Sequence, residues 1–341
     1  MKFDFVIGNP PYQETLENTS DKPIYNEFMN AAYETANVVE LITPARFLFN
    51  AGKTPKAWNQ KMLNDEYLKV LMYEPDSSKI FSNTDIKGGV AVTYRDSGKN
   101  IGSIGDFTPY LELNSILHKV KNQKEFSTIC NIIITSFAYH FTEKMHQDYP
   151  EASSLLSKGH ANDLKSNAFD RLPMIFKEEK PEDGYDYIQI LGRQNNGRAY
   201  KYIRRDYINQ VGNLDKYKLF IPKANGTGAF GETLTLPEVC NPGIGSTESF
   251  VGIGLFDSMD ESENALKYIK TKFARAMLGV IKITQDLTPT KWKYVPLQDF
   301  KSSSDIDWSQ SIANIDKQLY KKYNLSDEEI NFIENNVKEM E

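Results

Sequence analysis

Two cysteines in 341 residues, Cys130 and Cys240, are too few for a disulfide framework, and a reducing cytoplasm is the expected compartment. No apolar run approaches the ~18 residues of a membrane span. Met1-Lys2-Phe3-Asp4 also lacks the charged, apolar and small-residue order of a secretory signal, so no membrane partner is expected. Histidine is nearly as scarce. His118, His140, His146 and His160 form no HExxH pattern and the cysteines show no zinc spacing, so no metal is expected. A P-loop, a Ser-His-Asp arrangement, internal repeats and low-complexity linkers are likewise missing from the string. What is present is an ordinary globular composition, 40% hydrophobic and 25% charged, which excludes wholesale disorder. The length suits roughly two domains.

An excess of positive charge is lacking overall, since the net charge is −6. That figure argues against a nucleic-acid partner only until it is read by segment. From Gly192 to Lys223 eight basic residues (Arg193, Arg198, Lys201, Arg204, Arg205, Lys216, Lys218, Lys223) face only Asp206 and Asp215, a net of +6. From Asp299 to Glu341 five lysines face ten acids, a net of −5.

Phe3–Gly8 (FDFVIG) is a short apolar run ending at a breaker and reads as a buried parallel strand. A helix is predicted over 24–36, with Ile24, Phe28, Ala31, Ala32 and Thr35 on one face. Asn37–Thr43 reads as a strand stopped by Pro44, Lys56–Asn64 as a helix, and Lys69–Tyr73 and Gly89–Tyr94 as strands. This order points to one half of an α/β sheet. After about Asn122 the pattern changes. Strands are predicted at Tyr187–Leu191, Tyr217–Pro222 and Ser249–Phe256, and one helix from about Ser262 to Ile281 with Leu266, Ile269, Phe273, Met277 and Val280 inward. Ser258 and Glu261 have capping-box spacing ahead of it. The tail, Ile315–Met340, reads as one or two short helices with Ser326 as N-cap and Glu329 three residues on.

Asn9-Pro10-Pro11-Tyr12 follows the first strand directly, and in an open α/β sheet ligands bind off the carboxyl ends of strands. The tetrapeptide suits methyl transfer to an exocyclic amino group. The N6 nitrogen of adenine is a poor nucleophile because its lone pair is delocalised into the ring. The Asn9 side-chain oxygen and the Pro10 carbonyl would each accept one N–H, favouring a pyramidal nitrogen with its lone pair free. The two prolines hold these acceptors in place. Tyr12 offers an aromatic face for an extruded base.

On these residues the chain resembles the DNA N6-adenine methyltransferases of restriction-modification systems, in particular the large enzymes with a C-terminal specificity domain. Phe3–Tyr12 is similar to their catalytic motif IV, Leu41–Phe47 (LITPARF) to motif VI, and Lys79-Ile80-Phe81 with Val90-Ala91-Val92 to motifs VII and VIII. The resemblance implies that Asn9, Pro10, Pro11 and Tyr12 are catalytic and that Phe81 packs against the flipped base. Gly192-Arg193-Gln194, Tyr217–Pro222, Phe250–Phe256, Tyr268–Phe273, Tyr294–Phe300 and Tyr320–Ile333 resemble the specificity portion. There Arg193, Arg198, Lys201, Arg204, Arg205 and Lys223 would contact phosphates of double-stranded DNA. Asn195 and Asn196 would read base edges, and Asn225-Gly226-Thr227-Gly228 would bring backbone N–H groups to the DNA.

The expected fold is therefore α/β. A partial Rossmann-like methyltransferase sheet (1–122) is followed by an α+β target-recognition domain (123–300) and a helical tail (301–341). The implied methyl donor is S-adenosylmethionine, and methyl transfer needs no metal. The family binds the donor through a Phe-x-Gly-x-Gly turn that precedes the Asn-Pro-Pro-Tyr motif, but only eight residues precede Asn9 here. A missing N-terminal half or partner subunit would supply that site, and the isolated chain would be inactive. Phe250-Val251-Gly252-Ile253-Gly254 fits the string, but its glycines lie inside a strand-like run with no helix opening at once. The alternative is a non-catalytic DNA-binding or specificity subunit that keeps a degenerate methylase half as scaffold.

Overall fold

The computed structural model describes residues 3–14, 21–82, 86, 88–282 and 284–340. The chain divides into two compact units, Met1–Asn114 and Ser115–Glu341, and its fold is mixed α/β with several sheets.

The first unit is built on four strands: β1 (Phe3–Gly8), β2 (Ala36–Pro44), β3 (Leu68–Glu74) and β4 (Val90–Asp96), in the order β1-β2-β4-β3. β1 runs parallel to β2, from Phe3↔Ala36 to Gly8↔Leu41, while β4 is antiparallel to both β2 and β3. The carboxyl ends of β1, β2 and β3 therefore lie at one end of the sheet. Helices α1 (Tyr25–Thr35) and α2 (Lys56–Leu63) contribute to a core around Met29, Phe47, Leu48, Met62 and Leu68. Tyr25, Phe47 and Trp58 meet there with ring centroids 5.4–6.4 Å apart.

Two expectations need correcting. β1 is parallel as expected but is not buried. It is the edge strand, and Phe3, Phe5 and Ile7 are 62%, 67% and 77% exposed. The inward face of α1 is shifted by one residue. Tyr25 and Met29 carry it, while Phe28 is exposed, because the helix starts after Ile24 and packs by its tyrosine.

The second unit holds two sheets. Its further strands are β5 (Ile133–Ile134), β6 (Tyr187–Gln194), β7 (Gly197–Arg204), β8 (Tyr217–Pro222), β9 (Glu238–Cys240), β10 (Ile244–Ser246) and β11 (Phe250–Phe256). One sheet has the order β9-β8-β11-β5 and the other β10-β6-β7. β6 and β7 form a hairpin closed at Gln194↔Gly197. Its two central residues, Asn195 (φ 50°) and Asn196 (φ 61°), are both left-handed, as a type I′ turn requires. At the centre of the first sheet Lys218 is wholly buried. Its ammonium donates to the carbonyls of Leu214 (3.1 Å), Lys216 (3.0 Å) and Asn241 (2.8 Å), and burial lowers its pKa to about 8.

The predicted single helix over Ser262–Ile281 is two, α3 (Met259–Lys270) and α4 (Lys272–Gly279). Thr271 takes an extended conformation between them, donates its hydroxyl to Tyr268 O (2.6 Å) and accepts the Ala274 N–H (3.1 Å). It thus ends one helix and caps the next. The apolar period runs across the break, so the sequence pattern hides it. The tail forms α5 (Ile312–Lys322) and α6 (Asp327–Asn336), the latter opened by a complete Ser326–Glu329 capping box. No described helix is long and apolar enough to cross a membrane.

Candidate functional site

In the first unit the proline pair ends β1, since neither Pro10 nor Pro11 can donate to the ladder. The chain then turns across the carboxyl end of the sheet and is fixed when Tyr12 O accepts the Ile24 N–H (3.1 Å). A cleft of about 800 Å³ opens at that end. Asn9, Pro11 and Tyr12 line it from the loop after β1, Pro44 and Arg46 from the turn after β2, and Phe81 and Ile86 from the segment after β3. Asn9 is exposed and Pro10 half-buried. The Tyr12 and Phe81 rings stand edge-on, centroids 6.4 Å apart and planes at 67°. The Tyr12 hydroxyl is buried without a hydrogen-bond partner among the described residues, and burial pushes its pKa up to about 12. The hydroxyl therefore stays protonated near neutral pH. The structure thus brings Asn9, Pro11, Tyr12 and Phe81 to one cleft from separate segments.

The same cleft holds charges to which sequence reading gave no role. Lys53 Nζ donates to Asp21 O (3.0 Å), and the Asp21 carboxylate accepts from Gln13 Nε2 (2.5 Å). The Arg46 stem lies against two glycines. A Cβ on Gly88 (φ +86°) would fall 2.8 Å from Arg46 Cγ, and one on Gly52 (φ +89°) 3.1 Å from Arg46 Cβ. The intervening loops make this visible only in three dimensions.

In the second unit the basic segment is divided by the fold. Arg193, Asn196, Arg198 and Lys223 line a cleft of about 860 Å³ together with Phe137, His160, Lys165 and Glu248. Asn195 is exposed beside Asn196 in the hairpin turn. The Lys223 ammonium lies 4.6 Å from the Phe137 ring centroid. Arg198 donates to Glu238 Oε2 (2.8 Å) and Leu236 O (2.5 Å). Lys201 is buried and pairs with Glu178. The Arg204 guanidinium sits 3.6 Å from the Tyr185 ring centroid and 4.6 Å from that of Tyr207, bonded to Asp206 (2.5 and 3.0 Å). The Asp206 bonds raise its pKa further above the usual arginine value. Arg205 pairs with Asp215 and Lys216 with Asp257 (2.6 Å). Most of the +6 is therefore matched inside the fold, whereas Arg193 and Lys223 face the cleft and pair with no acid among the described residues.

The Asn225–Gly228 turn also departs from expectation. The Thr227 and Gly228 N–H groups donate to the Glu232 carboxylate (2.7 and 2.9 Å), as do Thr227 Oγ1 (3.0 Å) and Lys282 Nζ (2.5 Å), so they are not offered to an outside ligand. Phe250–Gly254 lies within β11. Gly254 is left-handed (φ +99°), and an added Cβ would fall 2.0 Å from the Phe256 ring. It serves the strand's irregular register with β8. His140 and His160 both point Nδ1 at Asp163, at 3.6 and 2.7 Å.

The comparisons with known proteins bear on the first unit above all. The chain is 9% identical to the type IIG restriction endonuclease BpuSI, with a TM-score of 0.31 over 87% of this chain and 44% of that one. For the type IIL restriction-modification enzyme MmeI, solved in complex with DNA, the values are 10% and 0.30 over 98% of this chain and 56% of that one. An uncharacterized adenine-specific methylase of Mycoplasma pneumoniae is 32% identical over 95 residues, which cover 26% of this chain and 22% of the relative's length. The chain thus matches about a fifth of that curated relative. Residues 1–81, which hold β1, the Asn-Pro-Pro-Tyr turn and Phe81, match the Eco57I restriction-modification methylase family.

Proposed function

We propose that this chain carries the target-adenine site and the DNA-contacting part of a site-specific DNA adenine-N6 methyltransferase of a restriction-modification system. The observation that supports this best is the meeting of Asn9, Tyr12 and Phe81 in one cleft at the carboxyl ends of three strands. In this reading an adenine extruded from double-stranded DNA enters the cleft edge-first and packs against the Tyr12 and Phe81 rings. Asn9 Oδ1 and the Pro10 carbonyl accept its two N6–H bonds, hold the nitrogen pyramidal, and direct its lone pair outward. After methylation the displaced proton leaves to water.

The methyl group of such enzymes comes from S-adenosylmethionine. The Phe250–Gly254 string does not fit that donor, because its residues are buried in β11 and Gly254 abuts the Phe256 ring. The sheet of the first unit is read as part of a Rossmann-like sheet, and the open edge of β1 with its exposed Phe3, Phe5 and Ile7 is where a further strand would pair. A donor-binding half would join there, on the same polypeptide or on a partner subunit. In the second unit Arg193, Asn195, Asn196, Arg198 and Lys223 are read as the DNA-facing group.

Transfer of labelled methyl groups to adenine N6, with a candidate donor-binding half supplied, tests this. Activity lost in Asn9→Ala supports it. DNA binding by the reconstituted complex without any methyl transfer favours instead a non-catalytic specificity subunit, the reading to which the misfit of the Phe250–Gly254 string lends weight.

A further inference from the structure

In the second unit the turn at Gly226-Thr227-Gly228 directs its donors at a single side chain. The Thr227 N–H (2.7 Å) and hydroxyl (3.0 Å) meet one oxygen of the Glu232 carboxylate, and the Gly228 N–H (2.9 Å) and the Lys282 ammonium (2.5 Å) meet the other. Successive backbone N–H groups in a glycine-rich turn, with a hydroxyl and an ammonium, form a concavity suited to a phosphate group. The backbone is shaped for an anion held close. Gly226 (φ +65°) and Gly228 (φ +95°) are left-handed, and a Cβ on Gly226 would fall 2.2 Å from Glu232 Oε1. Asn225, one residue earlier, adds a buried Nδ2 group with no hydrogen-bond partner among the described residues.

Glu232 comes from the stretch between β8 and β9, and its backbone is pinned. Lys338 N–H donates to Gly231 O (2.9 Å), and Arg275 Nη1 donates to Glu232 O (3.3 Å). The long side chain is therefore the part that can leave. The turn also borders the cleft that Arg193 and Lys223 line. Ala224 and Thr235 belong to that lining, and Asn225 Oδ1 accepts the Thr235 N–H (2.9 Å).

We propose that this turn and Lys282 form an oxyanion site of the phosphate class, closed in the free chain by Glu232 as a built-in mimic and opened when a phosphate group displaces that side chain. The phosphate is either the free ion or a link of nucleic acid lying in the neighbouring cleft. The site is independent of whether the first unit methylates adenine.

The test uses the full chain with Glu232→Ala, which removes the carboxylate and leaves its donors. Melting near neutral pH is followed by the emission of the buried Trp292 and Trp308. At matched ionic strength about 20 mM inorganic phosphate should raise the melting temperature of the variant by about 4–7 °C, with half-saturation near about 1 mM, and move the wild type by less than about 1 °C. Acetate at the same concentration should rescue less. Lys282→Met added to Glu232→Ala should abolish the response. If Glu232→Ala is unfolded even in the cold, phosphate-dependent recovery of the buried-tryptophan emission reads the same rescue.

A short DNA duplex separates the two sources of phosphate. Glu232→Ala binding the duplex about tenfold more tightly than the wild type, with a log–log salt slope steeper by about 0.9, assigns the site to a phosphodiester, because the wild type must first expel its own carboxylate. Phosphate rescue with unchanged or weaker duplex binding assigns it to the free ion. A variant that responds to phosphate no more than the wild type does, or equally with and without Lys282, or to acetate alone, overturns the proposal and leaves Glu232 as a structural bridge.

Discussion

Replacing Glu232 by Gln should destabilise the second unit by about 3 kcal/mol at pH 7. The carboxylate accepts two backbone N–H bonds and a hydroxyl from Gly226-Thr227-Gly228 and meets the buried Lys282 ammonium. Its side chain is 14% exposed and that of Lys282 4%, so solvent screens the pair little. Burial alone would raise the carboxyl. The Lys282 bond and the N–H groups outweigh it and bring the pKa from 4.5 to about 2. A carboxyl held that far down contributes about 3 kcal/mol when ionised. Because the folded value is the lower one, this contribution is present above pH 4.5 and is lost as the pH falls toward 2.

The penalty for Glu232→Gln should therefore shrink to about 1.5 kcal/mol at pH 3. At pH 7 the melting temperature should drop by about 6–12 °C for a unit of this size. Urea unfolding followed by the emission of Trp292 and Trp308, both buried in this unit, reads the change. Lys282→Met added to Glu232→Gln should cost less than the two single changes together, since the mutant no longer strands a buried ammonium. A penalty below about 0.5 kcal/mol, or one equal at pH 3 and pH 7, refutes the assignment of the stabilisation to charge.

Gly254→Ala should destabilise by about 3 kcal/mol or more in the same melts, because the position is left-handed and faces the Phe256 ring; an unchanged melt removes the backbone explanation of that glycine. Lys218→Met should cost about 2–4 kcal/mol by leaving three carbonyls without their donor, and a neutral result shows that the ammonium is dispensable. Charge reversal at Arg193 and Lys223 should weaken DNA binding and its salt dependence with little change in stability. Arg204→Glu should instead lower the melting point, since that residue is stacked and paired within the fold; the opposite pattern in binding and melting assays reverses the two assignments.

Local signals carried much of the architecture. An apolar run ended by prolines marks β1 and its turn, and a serine three residues ahead of Glu329 marks the start of α6. The breaks that sequence reading missed are tertiary. Thr271 interrupts a helix whose apolar period continues unbroken, and Tyr25 rather than Phe28 turns inward because the core offers it Phe47 and Trp58. The charge of the basic segment was legible as a sum but not as a surface. Its partners Asp148, Glu178, Glu238 and Asp257 lie outside the segment and reach it only through folding. At the candidate site the proline-rich turn announced itself, whereas Lys53 and Phe137 enter the clefts from loops with no pattern of their own.

The short strand β5 has a consequence for how the second unit is made. Ile133 and Ile134 pair with Ile253 and Gly252, and Ser127 and Ile129 are bonded to Leu297 and Val295. On a ribosome adding about 5–20 residues per second, β5 emerges about 6–24 s before its partner strand exists. The seam at Ser127 closes later still. During that interval the nascent unit shows unpaired apolar backbone to anything that binds extended chains. A chain that stopped before Val295 would never close that seam.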